Sequence, residues 1–85
     1  MDFKNQVIIV SGGSSGIGAQ IALDVARKGA TVCIFGSNKN KINKFLSNAN
    51  HDRIHGYQCD VSNEKEVKSK SQDIIGKFGK IDVCF

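Results

Sequence analysis

The run Ser11-Gly12-Gly13-Ser14-Ser15-Gly16-Ile17-Gly18 carries glycine at four of its eight positions. It lies between a continuous apolar stretch, Val7-Ile8-Ile9-Val10, and a segment with helical apolar spacing, Ile17, Ile21, Ala22, Val25 and Ala26. A glycine turn there is suited to holding a phosphate. Gly12 allows a tight turn with unusual backbone angles. Gly16 has no side chain, so a pyrophosphate can approach the helix start, and Gly18 permits close packing of helix on strand. The free amides and the dipole of the first helical turn, including Ile17, then face the anion. Ser11, Ser14 and Ser15 add hydroxyls. A P-loop is excluded, because Ile17 follows Gly16 where that motif requires Lys.

The elements that position this turn alternate along the whole chain. The β-branched run at Val7–Val10 fits a strand buried on both faces, as in a parallel sheet. A helix ends at Gly29, in the place of a C-cap glycine. Thr31-Val32-Cys33-Ile34-Phe35 reads as a second strand, and Asn38 to Ser47 as a second helix with Ile42, Phe45 and Leu46 on one face. The polar stretch 48–53 reads as a loop. Ile54–Cys59 is a third strand, interrupted by Gly56. A third helix follows, with Ser62 as N-cap, Glu64 and Glu66 in its first turn, and Val67, Ile74, Ile75 and Phe78 as its apolar side; it ends near Gly79. Ile81–Phe85 is a fourth strand. The order is βαβαβαβ. Right-handed crossovers predict a doubly wound parallel sheet in the order 3-2-1-4, with helices on both faces and a ligand-binding switch point between strands 1 and 4.

The spacing Gly12-x-x-x-Gly16-x-Gly18 resembles the fingerprint of the short-chain dehydrogenase/reductase family, with Ser11 where the family usually has Thr. Cys59-Asp60-Val61-Ser62 resembles the family's segment after strand 3, and Gly79-Lys80-Ile81-Asp82-Val83 its entry into strand 4. The resemblance covers essentially the whole chain. It implies that residues 1–85 are the N-terminal half of a three-layer Rossmann-type NAD(P)-binding domain. It also implies that the Asp60 carboxylate accepts a hydrogen bond from the adenine amino group and that the Val61 backbone supports the ring. Asp60 equally suits a turn or cap before the third helix.

Cofactor choice falls after strand 2, where an NAD enzyme carries an acid for the ribose hydroxyls. Here the strand runs into Ser37-Asn38-Lys39, with no acid until Asp52. Ser37 and Asn38 can donate hydrogen bonds, and Lys39 or Lys41 can supply charge, which favours NADP(H) over NAD(H). A solvated helix face accounts for the same lysines. The Val10–Gly18 and Cys59–Ser62 segments look most like 3-oxoacyl-carrier-protein reductases, implying NADPH-dependent reduction of a ketone. A non-catalytic dinucleotide-binding module and an inactive remnant are the alternatives.

The family's catalytic Tyr-x-x-x-Lys has no match. The one tyrosine, Tyr57, is followed four residues later by Val61, and the chain ends at Phe85, before the family's Asn-Asn-Ala-Gly run would appear. No catalytic residue is therefore assigned, and His51 and His55 read as surface or loop residues. The fourth strand, central in a full sheet, is expected to be an edge here, leaving the chain poorly soluble or partly molten.

Composition is that of an ordinary globular chain: 40% apolar, 24% charged, with no Pro or Trp. The net charge of +4 suits an anionic partner or simply a lysine-rich surface; the lysines form no block and no RNA-binding signature accompanies them. Cys33, Cys59 and Cys84 are too widely spaced for a metal site and read as reduced, buried thiols of a cytoplasmic protein. No stretch reads as a signal peptide or membrane span. A full-length relative is expected to be a homo-oligomer, dimer or tetramer.

Overall fold

The first strand, β1 (Val7–Ser11), is buried at Val7, Ile8, Ile9 and Val10. Such a run is stable only with cover on both faces, and a computed structural model supplies it. The structure describes residues 3–12 and 16–85. Strand β1 is followed by α1 (Gly16–Arg27), β2 (Thr31–Gly36), α2 (Lys39–Ala49), β3 (Ile54–Gln58), α3 (Glu64–Phe78) and β4 (Val83–Cys84). The four strands form one parallel sheet in the order β3-β2-β1-β4.

The two-residue alternation of the strands divides the core. Ile8, Val10, Val32, Ile34 and Ile54 face α1 and α2, where they meet Ala22, Val25, Ala26 and Ile42. Val7, Ile9, Cys33, Phe35 and Cys59 face the other way and meet Ile74 of α3. Parallel strands thus deliver the ends of β1, β2 and β3 to one edge of the sheet.

Strand β4 is only two residues long, but its pairing runs further. Asp82 donates its N–H to the Val7 carbonyl at 2.8 Å, Phe85 donates to Ile9 at 2.8 Å, and Ser11 donates to Phe85 at 2.9 Å. The expected Ile81–Phe85 strand is therefore paired from Asp82 onward. The Asp82 carboxylate adds a clasp: it accepts the Val7 N–H at 2.8 Å and meets the Lys80 ammonium at 3.1 Å. Those contacts hold its carboxyl below the usual range, the Val7 N–H contributing most.

Several residues behave differently from their sequence reading. Helix α3 is capped by Asn63, not Ser62: the Asn63 side chain accepts from the amides of Lys65 and Glu66. Ser62 is diverted to Asp60, a stronger acceptor. Ile75 is 48% exposed while Ile74 is fully buried, because neighbours on a helix point about 100° apart and only one can meet the sheet. Cys84 is exposed, whereas Cys33 and Cys59 are buried as expected. His55 is a half-buried strand residue whose ring lies 5.0 Å from that of Phe78. Gly56 does not weaken β3; it admits α2. A Cβ there would strike the Ile42 side chain and lie 2.9 Å from Leu46 Cδ1. Helix α2 extends to Ala49 and closes with Asn50 in the left-handed conformation. Among the described residues, no helix is long and apolar enough to cross a membrane, and no cluster of His, Cys, Asp and Glu could hold a metal ion.

Candidate functional site

The glycine turn leaves the end of β1, and its backbone is anchored on both sides. Gly12 donates its N–H to the Phe35 carbonyl of β2 at 2.8 Å, while the Ser11 N–H is held by Phe85. Gly12 has φ +71° and Gly16 φ +60°, values that side-chain-bearing residues rarely adopt. A Cβ built on either meets nothing within 4 Å. Close packing therefore does not account for glycine at these two positions; they border open space at the start of α1. That first turn, Gly16 to Ala19, contains no acid to offset the helix dipole. Ile17 projects from it 81% exposed. The predicted contacts of Ser14 and Ser15 lie outside the described residues, as does Gly13.

Ser37, Asn38 and Lys39 gather at the end of β2. Asn38 caps α2, its side-chain oxygen accepting the Lys41 N–H at 3.1 Å, so only its NH₂ group is left to donate. Ser37, Lys39 and Lys41 are exposed. The first turn of α2 thus carries lysines and no acid, the reverse of the arrangement the helix dipole favours.

Strand β3 extends by one further bond, Cys59 N–H to the Gly36 carbonyl at 2.8 Å, and presents Asp60 beside Ser37. Asp60 Oδ1 accepts the Ser62 N–H at 3.0 Å and the Ser62 hydroxyl at 2.6 Å. These bonds, the hydroxyl first, lower the Asp60 pKa and keep it a carboxylate. The turn reading of Asp60 is thus the one the structure displays: Oδ1 holds the Ser62 turn. Val61 beside it is 55% exposed.

An open groove of about 680 Å³ lies between the ends of β2 and β3 and helix α3. It is lined by Ser37, Gln58, Asp60, Glu66, Ser69 and Lys70. Ser37 and Asp60 were expected at the site from sequence. Gln58 was missed; its side-chain NH₂ donates to the Ser37 carbonyl at 3.3 Å, bridging β3 to the segment after β2. Glu66, Ser69 and Lys70 share one face of α3, a polar i, i+3, i+4 pattern that was legible but reads equally as a solvated surface. Tyr57 lies elsewhere, edge-on to Phe35 with ring centroids 6.1 Å apart. Burial and the neighbouring Cys33 raise its pKa, so it stays a neutral phenol.

Residues 6–85 match the short chain dehydrogenase family. An uncharacterized oxidoreductase of Staphylococcus haemolyticus is 34% identical over 82 residues, covering 96% of this chain and 36% of that protein. A Yarrowia lipolytica protein named "Probable NADP-dependent mannitol dehydrogenase" is 39% identical over 82 residues, covering 94% of this chain and 30% of that one. Among solved structures, the citronellol catabolism dehydrogenase of Pseudomonas aeruginosa superposes with a TM-score of 0.89 at 33% identity, over 96% of this chain and 35% of that one. The chain thus spans about a third of the length of the relatives it matches.

Proposed function

Because the chain belongs to the short-chain dehydrogenase family, we propose that it is the NADP(H)-binding part of an oxidoreductase that reduces a ketone. The observation that carries this reading is the open space above Gly12 and Gly16 at the acid-free start of α1. A dinucleotide's pyrophosphate fits that position: the amides of Gly16, Ile17 and Gly18 donate to it, and Ser11, Ser14 and Ser15 supply hydroxyls. At the other end, Asp60 accepts from the adenine amino group and Val61 lies under the ring. Ser37, Asn38 and Lys39 meet a ribose 2′-phosphate, with the acid-free first turn of α2 adding charge of the right sign. When bound, the nicotinamide supplies the hydride.

The narrower substrate, a 3-oxoacyl thioester, rests on the Val10–Gly18 and Cys59–Ser62 segments alone. Relatives carry names as different as mannitol dehydrogenase and 3beta-hydroxysteroid dehydrogenase. The two buried thiols fit a reducing compartment, the cytoplasm, and the parent enzyme is read as a homo-oligomer. One observation favours a second reading, a binding module without chemistry of its own: Tyr57, the one tyrosine of the 85 residues, packs partly buried against the core and has no lysine four positions on.

The test is a fluorescence titration of the chain with NADPH and NADH. The reading requires saturable binding, with NADPH tighter by about tenfold, as expected for one added charge-assisted contact. Binding of neither would remove it; equal binding of both would remove the NADP(H) preference.

A further inference from the structure

The groove beside Asp60 has a donor and acceptor pattern that goes beyond the family fingerprint. Asp60 at the end of β3 and Glu66 on α3 line the same space, so two carboxylates border it. Lys70, one helical turn past Glu66 on the same face, also lines it, and is the one cation among the lining residues. Away from Ser37, the side chains that β3 and α3 give to the lining thus carry a net negative formal charge, which favours a group that donates hydrogen bonds. The Glu66 carboxylate is already turned toward Asp60, where Oε1 accepts the backbone N–H at an N···O distance of 3.5 Å and Oε2 is left for a ligand. Asp60 Oδ1 is taken up by Ser62, which leaves Oδ2 for a ligand.

We infer that Glu66 is a second specificity-determining residue for the nucleobase: with Asp60 it brackets the exocyclic amino group of adenine, while Lys70 donates to a ring nitrogen. This rests on the dinucleotide reading above. An amino group has two hydrogens to donate, and carboxylates only accept. Adenine offers that amino group beside an unprotonated ring nitrogen, which complements two acceptors next to an ammonium. A 6-oxo purine offers a carbonyl oxygen at the same place, and both carboxylates then face an acceptor with no proton between them. The groove is therefore built to take adenine and to reject hypoxanthine.

The experiment compares NADPH with its deaminated analogue, the hypoxanthine dinucleotide phosphate, by fluorescence titration of the chain. The wild-type chain binds the adenine form tighter by at least about tenfold, since a site shaped to hydrogen-bond a group discriminates against an analogue lacking it. Glu66→Gln keeps the size and an acceptor oxygen but adds an NH₂ donor. It lowers the ratio by about fivefold or more, chiefly by tightening the hypoxanthine form. Glu64→Gln removes the same charge from the exposed start of α3, outside the groove, and leaves the ratio unchanged. Thermal unfolding of both variants within a few degrees of wild type confirms that folding is not the cause. Equal binding of both dinucleotides by the wild type, or an unchanged ratio in Glu66→Gln, overturns this inference and leaves the dinucleotide reading standing. Failure of the wild type to bind either dinucleotide overturns both.

Discussion

Ile17→Asp should move stability and binding in opposite directions. Ile17 is 81% exposed in the first turn of α1, so replacing it forfeits almost no apolar burial. A carboxylate there complements the amino-terminal end of the dipole, a gain of about 0.3–1 kcal/mol. The thermal midpoint should hold or rise by a few degrees. The bound pyrophosphate meets the opposite effect. Two unit charges about 6 Å apart repel by about 0.7 kcal/mol at the dielectric constant of water and by about 2.8 kcal/mol at an effective value of 20. For a doubly charged pyrophosphate at a partly exposed helix end, about 2 kcal/mol is a central value, equivalent to a Kd for NADPH weakened roughly thirtyfold. Ile17→Asn, without the charge, should weaken binding far less, and added salt should narrow the gap between the two variants. The assay pairs a thermal melt with an NADPH titration at two salt concentrations. An Ile17→Asp variant that binds NADPH as tightly as wild type would refute the placement of the pyrophosphate at this turn.

Gly56→Ala should destabilise the chain by about 1–3 kcal/mol, the cost of overpacking, because the new Cβ strikes the Ile42 side chain and crowds Leu46; a urea melt that matches wild type would show that α2 yields freely. Asp82→Ala should remove an acid-sensitive part of stability. The Asp82 pKa is depressed in the folded chain, so its contribution is present above the ordinary carboxylate range and lost as pH falls through the lowered folded value. The variant's urea midpoint should therefore fall below wild type near pH 6 and approach it at strongly acid pH; a constant gap would contradict the clasp. One thiol per native chain, exposed Cys84, should react promptly with a disulfide reagent, and the buried Cys33 and Cys59 only on unfolding. Burial also pushes the Cys33 thiol up to about 11 from 9.0, so stability should decline as pH rises from about 9, where the unfolded thiol begins to ionise; Cys33→Ser should blunt that decline.

The sequence carries most of the architecture because its local signals agree with one another. Val7–Val10 could only be a strand covered on both faces, and the glycines after it mark a strand-to-helix turn, which forces a parallel crossover. Strand order 3-2-1-4 follows from handedness. What the sequence leaves open is decided by contacts distant along the chain. Gly56 reads as a strand breaker until α2 lies against it. Ile75 reads as core until Ile74 takes the position facing the sheet. Ser62 and Asn63 are both good caps, and the contest is settled by Asp60, which captures the Ser62 hydroxyl. The site divides in the same way. Gly12, Gly16 and Asp60 are legible from spacing, since fixed backbone geometry puts them at strand ends. Gln58 and the Glu66–Lys70 face of α3 reach the groove only through the docking angle of that helix, which no spacing in the chain encodes. Asp82 is similar: its clasp on Val7 spans 75 positions.

In the proposed function, the amides opening α1 receive the pyrophosphate of a dinucleotide. The most direct measurement follows the backbone amide resonances of the isotope-labelled chain as NADPH is added. Saturable shifts should concentrate at Gly12, Gly16, Ile17 and Gly18, with Asp60 and Val61 moving over the same concentration range. Shifts absent from the glycine turn at saturating NADPH, or confined to the lysines of α2 and α3, would contradict it.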